Sequence, residues 1–207
     1  MRLFATIGIT MACGLFAVVA AAQPNGAVER AQPFERLTGP RIDVAADADG
    51  VAPLTDFCPD ETERCQRYWA YTLHFVRSPG IPVRDREIVI LRTAWLSRGD
   101  YIWGRHNVIG QDAGLTEEEI RRIRVGPDAP GLTDFDRALI RAVDELHASR
   151  FISGTTWEAL AGRYDEAQLV EVVQTVGNYI QLAMFQNTLG VLLPPDVAGL
   201  PDESSAR

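Results

Sequence analysis

Two titratable residues of this chain, Glu87 and His106, lie among apolar neighbours in the sequence. Glu87 has aliphatic residues four positions before it and three and four positions after it, and His106 has apolar residues or glycine at the same spacings. Side chains three and four residues apart share one face of a helix, so both groups are predicted to face inward. An unpaired polar group in an apolar interior is costly. An acid and an imidazole that meet there form a candidate proton-transfer site.

Each of these residues also has a structural interpretation. His106 by itself is typical of a core histidine whose hydrogen bonds are satisfied within the protein. Glu87 by itself is typical of a structural ion pair with a nearby arginine, for which the sequence offers Arg84, Arg86 or Arg92. The occurrence of both residues in apolar segments adds some weight to the functional interpretation.

Other reactive patterns are missing from the sequence. His74 and His147, the remaining histidines, are predicted to lie at the surface or to pack between helices. No two histidines have zinc-helix spacing and no cysteine cluster accompanies them, so we predict no metal and no cofactor. The sequence also lacks a glycine-rich phosphate loop and a serine nucleophile elbow. Asn178 and Tyr179 place polar groups in an apolar segment, where they either line a pocket or bond neighbouring helices.

Hydrophobic periodicity predicts an all-α fold, a single bundle of six or seven helices joined by short loops. Capping boxes are predicted for Thr116 with Glu119 and for Thr155 with Glu158. The predicted helices cover residues 61–76, 83–96, 101–113, a segment that begins after residue 116, and then 133–149, 155–164 and 165–193.

The first 22 residues have the composition of a secretory signal peptide. Met1-Arg2 is a short positive start, residues 3–19 are almost wholly apolar, and residues 20–22 are alanines that offer a cleavage site before Gln23. Cleavage predicts a periplasmic or secreted protein. The alternative is an uncleaved membrane anchor, because an apolar run of about 20 residues is long enough to span a bilayer.

Export changes the interpretation of Cys58 and Cys65, the two cysteines that follow the signal segment. In an oxidising compartment such a pair can form a disulfide. Within a single helix their Cα atoms would lie about 10 Å apart, beyond the roughly 7 Å limit for a disulfide. Cys58 precedes Pro59, however, and can therefore lie outside the helix. The sequence leaves both a disulfide and two free thiols open.

The composition indicates one domain. The chain has 207 residues with 46% hydrophobic content, a net charge of −8 and no basic patch, which argues against nucleic-acid binding. Residues 23–55 are predicted to form an extended N-terminal arm or linker, residues 56–195 the helical domain, and residues 196–207 a flexible tail.

Five segments, in order, resemble the carboxymuconolactone decarboxylase and alkylhydroperoxidase-D superfamily. The resemblance spans roughly residues 77–193 and implies an all-α bundle, a small-molecule substrate and assembly into homo-oligomers, trimers or hexamers. The segments are residues 86–92 (REIVILR), 101–106 (Y-x-W-x-x-H), 114–120 (GLT-x-EEI), 165–171 (D-x-x-QLVE) and 176–179 (VGNY).

The resemblance also distinguishes branches of the superfamily. The peroxidase branch has a glutamate, a Cys-x-x-Cys pair and a histidine, and Glu87 and His106 have that branch's separation. The two cysteine positions fall on Gly99 and Ile102, so the resemblance is to a cysteine-free branch and disfavours thiol peroxidase chemistry. Many cysteine-free relatives have Tyr-Glu-Trp-x-x-His, and here Ile102 replaces that glutamate.

The function implied by the resemblance is cofactor-free acid–base chemistry, of lyase or isomerase type, on a small carbonyl, lactone or carboxylate compound. Glu87 and His106 are the predicted catalytic pair. The residues expected to bind the substrate are Tyr101, Trp103, Arg105, Asn178 and Tyr179.

Two alternatives remain. One is an antioxidant protein of the peroxiredoxin or alkylhydroperoxidase type. The other is a non-catalytic oligomer that binds a small apolar ligand in a pocket lined by Trp95, Trp103, Tyr179 and Met184, with Glu87 and His106 as a structural pair.

Overall fold

The structure is a computed structural model that describes residues 36–45, 51–58, 63–77 and 80–201. The described residues form seven α-helices and one short 3-10 helix, Leu54–Phe57, with no strand, so the all-α prediction is confirmed. The α-helices are α1 (Glu63–Arg77), α2 (Val83–Leu96), α3 (Asp100–Asp112), α4 (Glu117–Val125), α5 (Asp134–Ser149), α6 (Gly154–Ala161) and α7 (Glu166–Leu189).

Side-chain caps determine where several helices begin. The predicted capping box is present at the start of α4, where Thr116 and Glu119 bond each other's backbone N–H groups. For α6 the predicted cap is wrong. Ser153, not Thr155, accepts the hydrogen bond from the N–H of Thr156. A serine lying two residues ahead of Thr155 therefore moves the start of α6 to Gly154.

The last helix is shorter than its apolar sequence predicts. Helix α7 ends at Leu189 rather than at residue 193, because Gly190 adopts a left-handed conformation with φ of 76°. Glycine takes this conformation without a steric penalty and ends many helices. The chain therefore leaves the helix axis four residues earlier than predicted.

Helix α2 is the centre of the bundle. It packs against α3, α4, α5 and α7, and twelve of its fourteen residues are buried. Four of the buried residues carry charge: Asp85, Arg86, Glu87 and Arg92. Buried charges need partners, so the position of α2 brings these four side chains into contact with groups on the surrounding helices.

A disulfide joins Cys58, which follows the 3-10 helix, to Cys65 of α1, with their Cα atoms 5.9 Å apart. This separation is typical of disulfides. Cys58 lies outside α1, which makes the separation possible. The structure thus decides between the two alternatives that the sequence left open.

The segments that flank the bundle pack against helix ends. The N–H of Arg41 bonds the carbonyl of Leu189 at 2.9 Å, and the N–H of Leu200 bonds Asp100 Oδ1 at 2.8 Å. Residues 196–201 of the predicted tail thus lie against the start of α3. The predicted signal peptide and the remainder of the predicted arm and tail, namely residues 1–35, 46–50 and 202–207, lie outside the described residues. Among the described helices, none combines the length and apolar composition needed to cross a membrane.

Candidate active site

Glu87 on α2 and His106 on α3 are in direct contact. His106 Nδ1 lies 2.7 Å from Glu87 Oε2. Glu87 is completely buried, and His106 is 7% exposed. The predicted meeting of the two side chains is therefore observed, and the histidine is the more exposed of the two.

Arg86 holds the other oxygen of the carboxylate. Its Nε donates to Glu87 Oε1 at 2.7 Å, and its Nη2 lies 2.5 Å from the same oxygen. Its Nη1 donates to the carbonyls of Phe75 and Val76 in the last turn of α1, at 3.2 and 3.1 Å. Of the three arginines that the sequence offered as partners of Glu87, Arg86 forms this ion pair. Neighbouring residues on a helix do not face each other, so no sequence pattern could have selected it.

The two partners also determine the charge of Glu87. Burial alone raises the pKa of this carboxyl, because it disfavours the charged form. The hydrogen bond and charge of His106, together with the charge of Arg86, outweigh burial and lower the pKa below its ordinary value. Glu87 is therefore ionised at neutral pH, and as an acceptor it requires that Nδ1 of His106 carries the proton.

Tyr179 of α7 packs its ring against the edge of the imidazole. The two ring centroids are 5.1 Å apart and the ring planes are nearly perpendicular, at 86°. Burial and the negative charge of Glu87 raise the pKa of the Tyr179 phenol, which stays neutral. The ring limits the orientations of His106, and the phenol places no second negative charge beside Glu87.

A glycine allows α3 to approach α2 at this point. A Cβ at Gly110 would lie 3.3 Å from Leu91 Cδ1 and 3.7 Å from Glu87 Cβ, so the two helices have little space for a larger side chain. Gly110 lies one helical turn after His106 and thereby helps to bring the imidazole within hydrogen-bond distance of the carboxylate.

This geometry gives the two residues different capacities. Both oxygens of Glu87 are occupied, by Arg86 and by His106. His106 Nε2 has no hydrogen-bond partner among the described residues. The imidazole is therefore the group that can contact another molecule, whereas Glu87 orients it and balances its charge. The sequence had treated the two as an equivalent acid–base pair.

The residues predicted to bind substrate do not all gather around this pair. Tyr179 contacts His106. Trp103 and Arg105 line a cleft of about 650 Å³ between α3, α4 and residues 196–201. Tyr101 packs against the small apolar cluster of the N-terminal segment, and Asn178 accepts a hydrogen bond from Thr72 at 3.1 Å.

The predicted ligand pocket is also not formed as expected. Glu87 and His106 line neither the 650 Å³ cleft nor two further clefts of about 510 Å³ each. Trp103 lines the 650 Å³ cleft. Met184 is 63% exposed and lines one of the two 510 Å³ clefts. Trp95 contacts Trp103 with a centroid distance of 5.8 Å. The four residues predicted to share one pocket therefore do not share any of these clefts.

The positions that correspond to the peroxidase cysteines are part of the packing. Gly99 precedes the first turn of α3, and a Cβ there would lie 3.1 Å from Ile102 Cδ1 and 3.3 Å from Ala183 Cβ. Ile102 is fully buried. Within the part of the chain that the structure describes, no group of three or more histidine, cysteine or acidic side chains is arranged to hold a metal ion.

Comparisons with known proteins agree with this fold. The model of the carboxymuconolactone decarboxylase family matches residues 59–145, a segment that includes both Glu87 and His106. No curated protein matches the sequence significantly.

Solved structures with this fold include three informative ones. A protein of unknown function from Agrobacterium tumefaciens, proposed to be the antioxidant defence protein AhpD, has a TM-score of 0.61 at 18% identity, covering 68% of this chain and 97% of that one. An uncharacterised peroxidase-related protein from Ralstonia eutropha, with an AhpD core, has a TM-score of 0.57 at 14% identity, covering 65% of this chain and 72% of that one. The debrominase Bmp8, solved as a cysteine variant with 2,3,4-tribromopyrrole, has a TM-score of 0.59 at 10% identity, covering 71% of this chain and 80% of that one.

At these identities the similarity concerns the fold. The family match over residues 59–145 and this shared fold make the helical domain similar to proteins of the carboxymuconolactone decarboxylase and AhpD-like superfamily.

Proposed function

We propose that this protein catalyses cofactor-free acid–base chemistry, of lyase or isomerase type, on a small carbonyl, lactone or carboxylate compound. The observation that carries the proposal is the buried contact between Glu87 and His106, which leaves Nε2 of the imidazole without a partner among the described residues. A histidine held in this way can accept a proton from a bound molecule and return it.

Each member of the site has a distinct role in the proposal. Nε2 of His106 removes a proton from the substrate, or delivers one to an enol-like carbon. Glu87 keeps the imidazole in the tautomer with its proton on Nδ1 and stabilises the imidazolium that forms. Arg86 keeps Glu87 ionised, and the carbonyls at the end of α1 fix Arg86. Glu87 and Arg86 act through His106 and are positioning residues.

Several observations support this chemistry over a thiol mechanism. The family-like separation of Glu87 and His106 is retained, but glycine and isoleucine stand at the two cysteine positions. The disulfide between Cys58 and Cys65 precedes the motif. This combination supports a cysteine-free branch of the superfamily. Bmp8, which shares the fold, was solved in complex with a small heteroaromatic compound, and we extend this ligand size to the present chain as part of the proposal.

Location and assembly belong to the same proposal. The apolar N-terminal sequence supports export to the periplasm or secretion, and the resemblance to the superfamily supports a homo-oligomer. Size-exclusion chromatography with light scattering tests the assembly, and N-terminal sequencing of the protein recovered from the periplasm tests cleavage before Gln23.

The test of the chemistry is an assay on carboxylated muconolactone and on a panel of small β-keto acids and lactones. Lactone loss, CO₂ release and solvent-deuterium incorporation into the product are followed. We expect His106→Gln to lower kcat/KM by about 10²–10⁴-fold, the usual contribution of a general acid–base group. His74→Gln, at an exposed histidine, is the matched control and retains full activity. Unchanged turnover in His106→Gln would contradict the assignment.

The alternatives are distinguished in the same experiments. Peroxide consumption with a dithiol donor, lost in the Cys58→Ser/Cys65→Ser variant, would favour the antioxidant interpretation instead. An absence of turnover on every compound, together with saturable binding of one of them, would favour the non-catalytic ligand-binding protein.

A further inference from the structure

A second cleft, which we call the arginine cleft, is lined in part by α7. It has a volume of about 510 Å³ and lies between the N-terminal segment, the end of α2, the end of α5 and the C-terminal half of α7. Its wall includes Arg41, Ser97, His147, Arg150 and Met184, none of which belongs to the Glu87–His106 site. The volume is within the usual range for small-molecule sites.

Positive charge in this cleft is not balanced by its wall. Two arginines line the cleft and no described acidic residue does, although the chain as a whole carries a net charge of −8. The guanidinium of Arg41 has no ion pair or hydrogen bond with the described residues. Arg150 donates to the carbonyls of Leu146 and His147 at the end of α5, which leaves further N–H groups on its guanidinium.

The backbone at Arg150 adds an independent observation. Arg150 has a φ of 62°, in the left-handed region that favours glycine. A residue with a Cβ is strained there. Gly190 occupies the same conformation at the end of α7. The chain thus carries an arginine at a position where glycine is less strained, and that arginine faces the cleft.

The pKa of the His147 imidazole is also affected by Arg150. Burial lowers its pKa, and the positive charges of Arg150 and Arg92 lower it further, while Asp144 only partly opposes them. The neutral form of His147 is therefore favoured beside Arg150.

The remaining wall supplies an apolar surface. Ile180 and Met184 form the apolar part, and Met184 is largely exposed. The hydroxyl of Ser97 is out of contact with solvent and has no hydrogen-bond partner in the described structure. Native proteins leave few such groups unsatisfied.

We propose that the arginine cleft binds a small organic anion, a carboxylate attached to an apolar body. The carboxylate lies between Arg41 and Arg150, which supply charge-assisted hydrogen bonds. The apolar body covers Ile180 and Met184 and so removes apolar surface from water. Because the cleft shares no residue with the Glu87–His106 pair, this site is additional to the proposed catalytic one.

The test uses octanoate as the probe and octanamide as its neutral control. The protein is labelled with [methyl-¹³C]methionine, because Met184 is the sole methionine outside the N-terminal segment of residues 1–22. We expect octanoate to shift the Met184 methyl resonance saturably and octanamide to leave it unchanged at the same concentration. Titration calorimetry on the same protein gives the dissociation constant.

Two substitutions test the role of charge. Arg41→Gln and Arg150→Gly are each expected to weaken octanoate binding by about tenfold, as the loss of a charge-assisted hydrogen bond implies. Glycine is compatible with the backbone at position 150, and residue 41 lies outside the helices, so we expect both variants to retain the fold, which circular dichroism checks. Arg141→Gln, at an exposed arginine of α5 away from the cleft, is the matched control.

Three results of these binding experiments contradict the proposal. No saturable shift of Met184, an equal shift with octanamide, or unchanged affinity in both arginine variants would each overturn the proposal. None of these readouts involves turnover, so they are independent of the fate of the acid–base proposal.

Discussion

Helix α2 carries two buried arginines, Arg86 and Arg92, that make similar hydrogen bonds to backbone carbonyls but have different roles. Arg86 donates to the carbonyls of Phe75 and Val76 in the last turn of α1. Arg92 donates to the carbonyls of Ile123 and Arg124 in the last turn of α4, at 3.0 and 2.8 Å. In both cases a guanidinium satisfies the free carbonyls at a helix end.

The acids that complete these clusters differ. Arg92 meets both oxygens of Asp144, at 2.6 and 2.8 Å, and this bidentate pair is self-contained. Arg86 meets one oxygen of Glu87, and the second oxygen holds His106. The first cluster joins α2, α4 and α5 as a structural link. The second extends to a titratable ring with an unused nitrogen, and that third member gives it the capacity for chemistry.

The largest expected effect is on stability, from removing either carboxylate charge. Glu87→Gln leaves Arg86 without a counter-charge in a fully buried place, and we expect it to lower the free energy of unfolding by about 3–5 kcal/mol. The Asp144 side chain is 19% exposed, so water can compensate and Asp144→Asn should cost about 1–3 kcal/mol. Urea denaturation at pH 7 measures both. A greater loss in Asp144→Asn would reverse the ranking.

Lowering the pH should reduce the difference in the free energy of unfolding between the wild type and Glu87→Gln. The folded-state pKa of Glu87 is lowered, so its stabilising contribution is fully present above the unfolded pKa of about 4.3 and is lost as the pH falls. The stability gap between the wild type and Glu87→Gln should therefore shrink between pH 7 and pH 3. Urea titrations at several pH values measure the gap, and a gap independent of pH would mean that the charge of Glu87 is not the source of the stability.

Lysine substitutions should distinguish the roles of Arg86 and Arg92. Lysine lacks the planar fork of arginine, and we expect Arg86→Lys and Arg92→Lys each to cost about 1–2 kcal/mol of stability. On a substrate found in the panel described above, only Arg86→Lys should lower kcat/KM and change its pH profile, because Arg86 positions Glu87 behind His106. Equal loss of activity in both variants would remove the distinction.

The smallest effect is expected at Tyr179. Tyr179→Phe keeps the ring that packs on the imidazole and removes only the hydroxyl. We expect a change in stability below about 1 kcal/mol and a change in kcat/KM of a few-fold at most. A loss comparable to that of His106→Gln would instead make the phenol a substrate-binding or proton-donating group, as the sequence had suggested.

Local signals predicted much of the fold. The apolar periodicity of α2 and α3, the capping box at Thr116 and the helical start after Thr133 all agree with the structure. Two boundaries were wrong for local reasons. Ser153 took the place of Thr155 as a cap, and Gly190 ended α7 within an apolar run. Both errors arise where two neighbouring signals compete and their relative strength depends on the surrounding packing.

The candidate site was predictable in part. That Glu87 and His106 face inward follows from their positions on helices, because helical spacing determines which side chains share a face. Which arginine pairs with Glu87, and that its two oxygens are fully used, depends on how α1, α2 and α3 lie together. The arginine cleft was not predicted at all, since Arg41, Ser97 and Arg150 are far apart in the chain and belong to no motif.

The residue pattern by itself determined the helices, their inward faces and the two side chains suited to proton transfer, because these depend on interactions within a few residues. The tertiary structure decided which of those side chains can reach another molecule. Which residues form ion pairs, and which side chains are exposed to solvent, depend on contacts between helices that are distant in sequence. These features are therefore visible only in the folded structure.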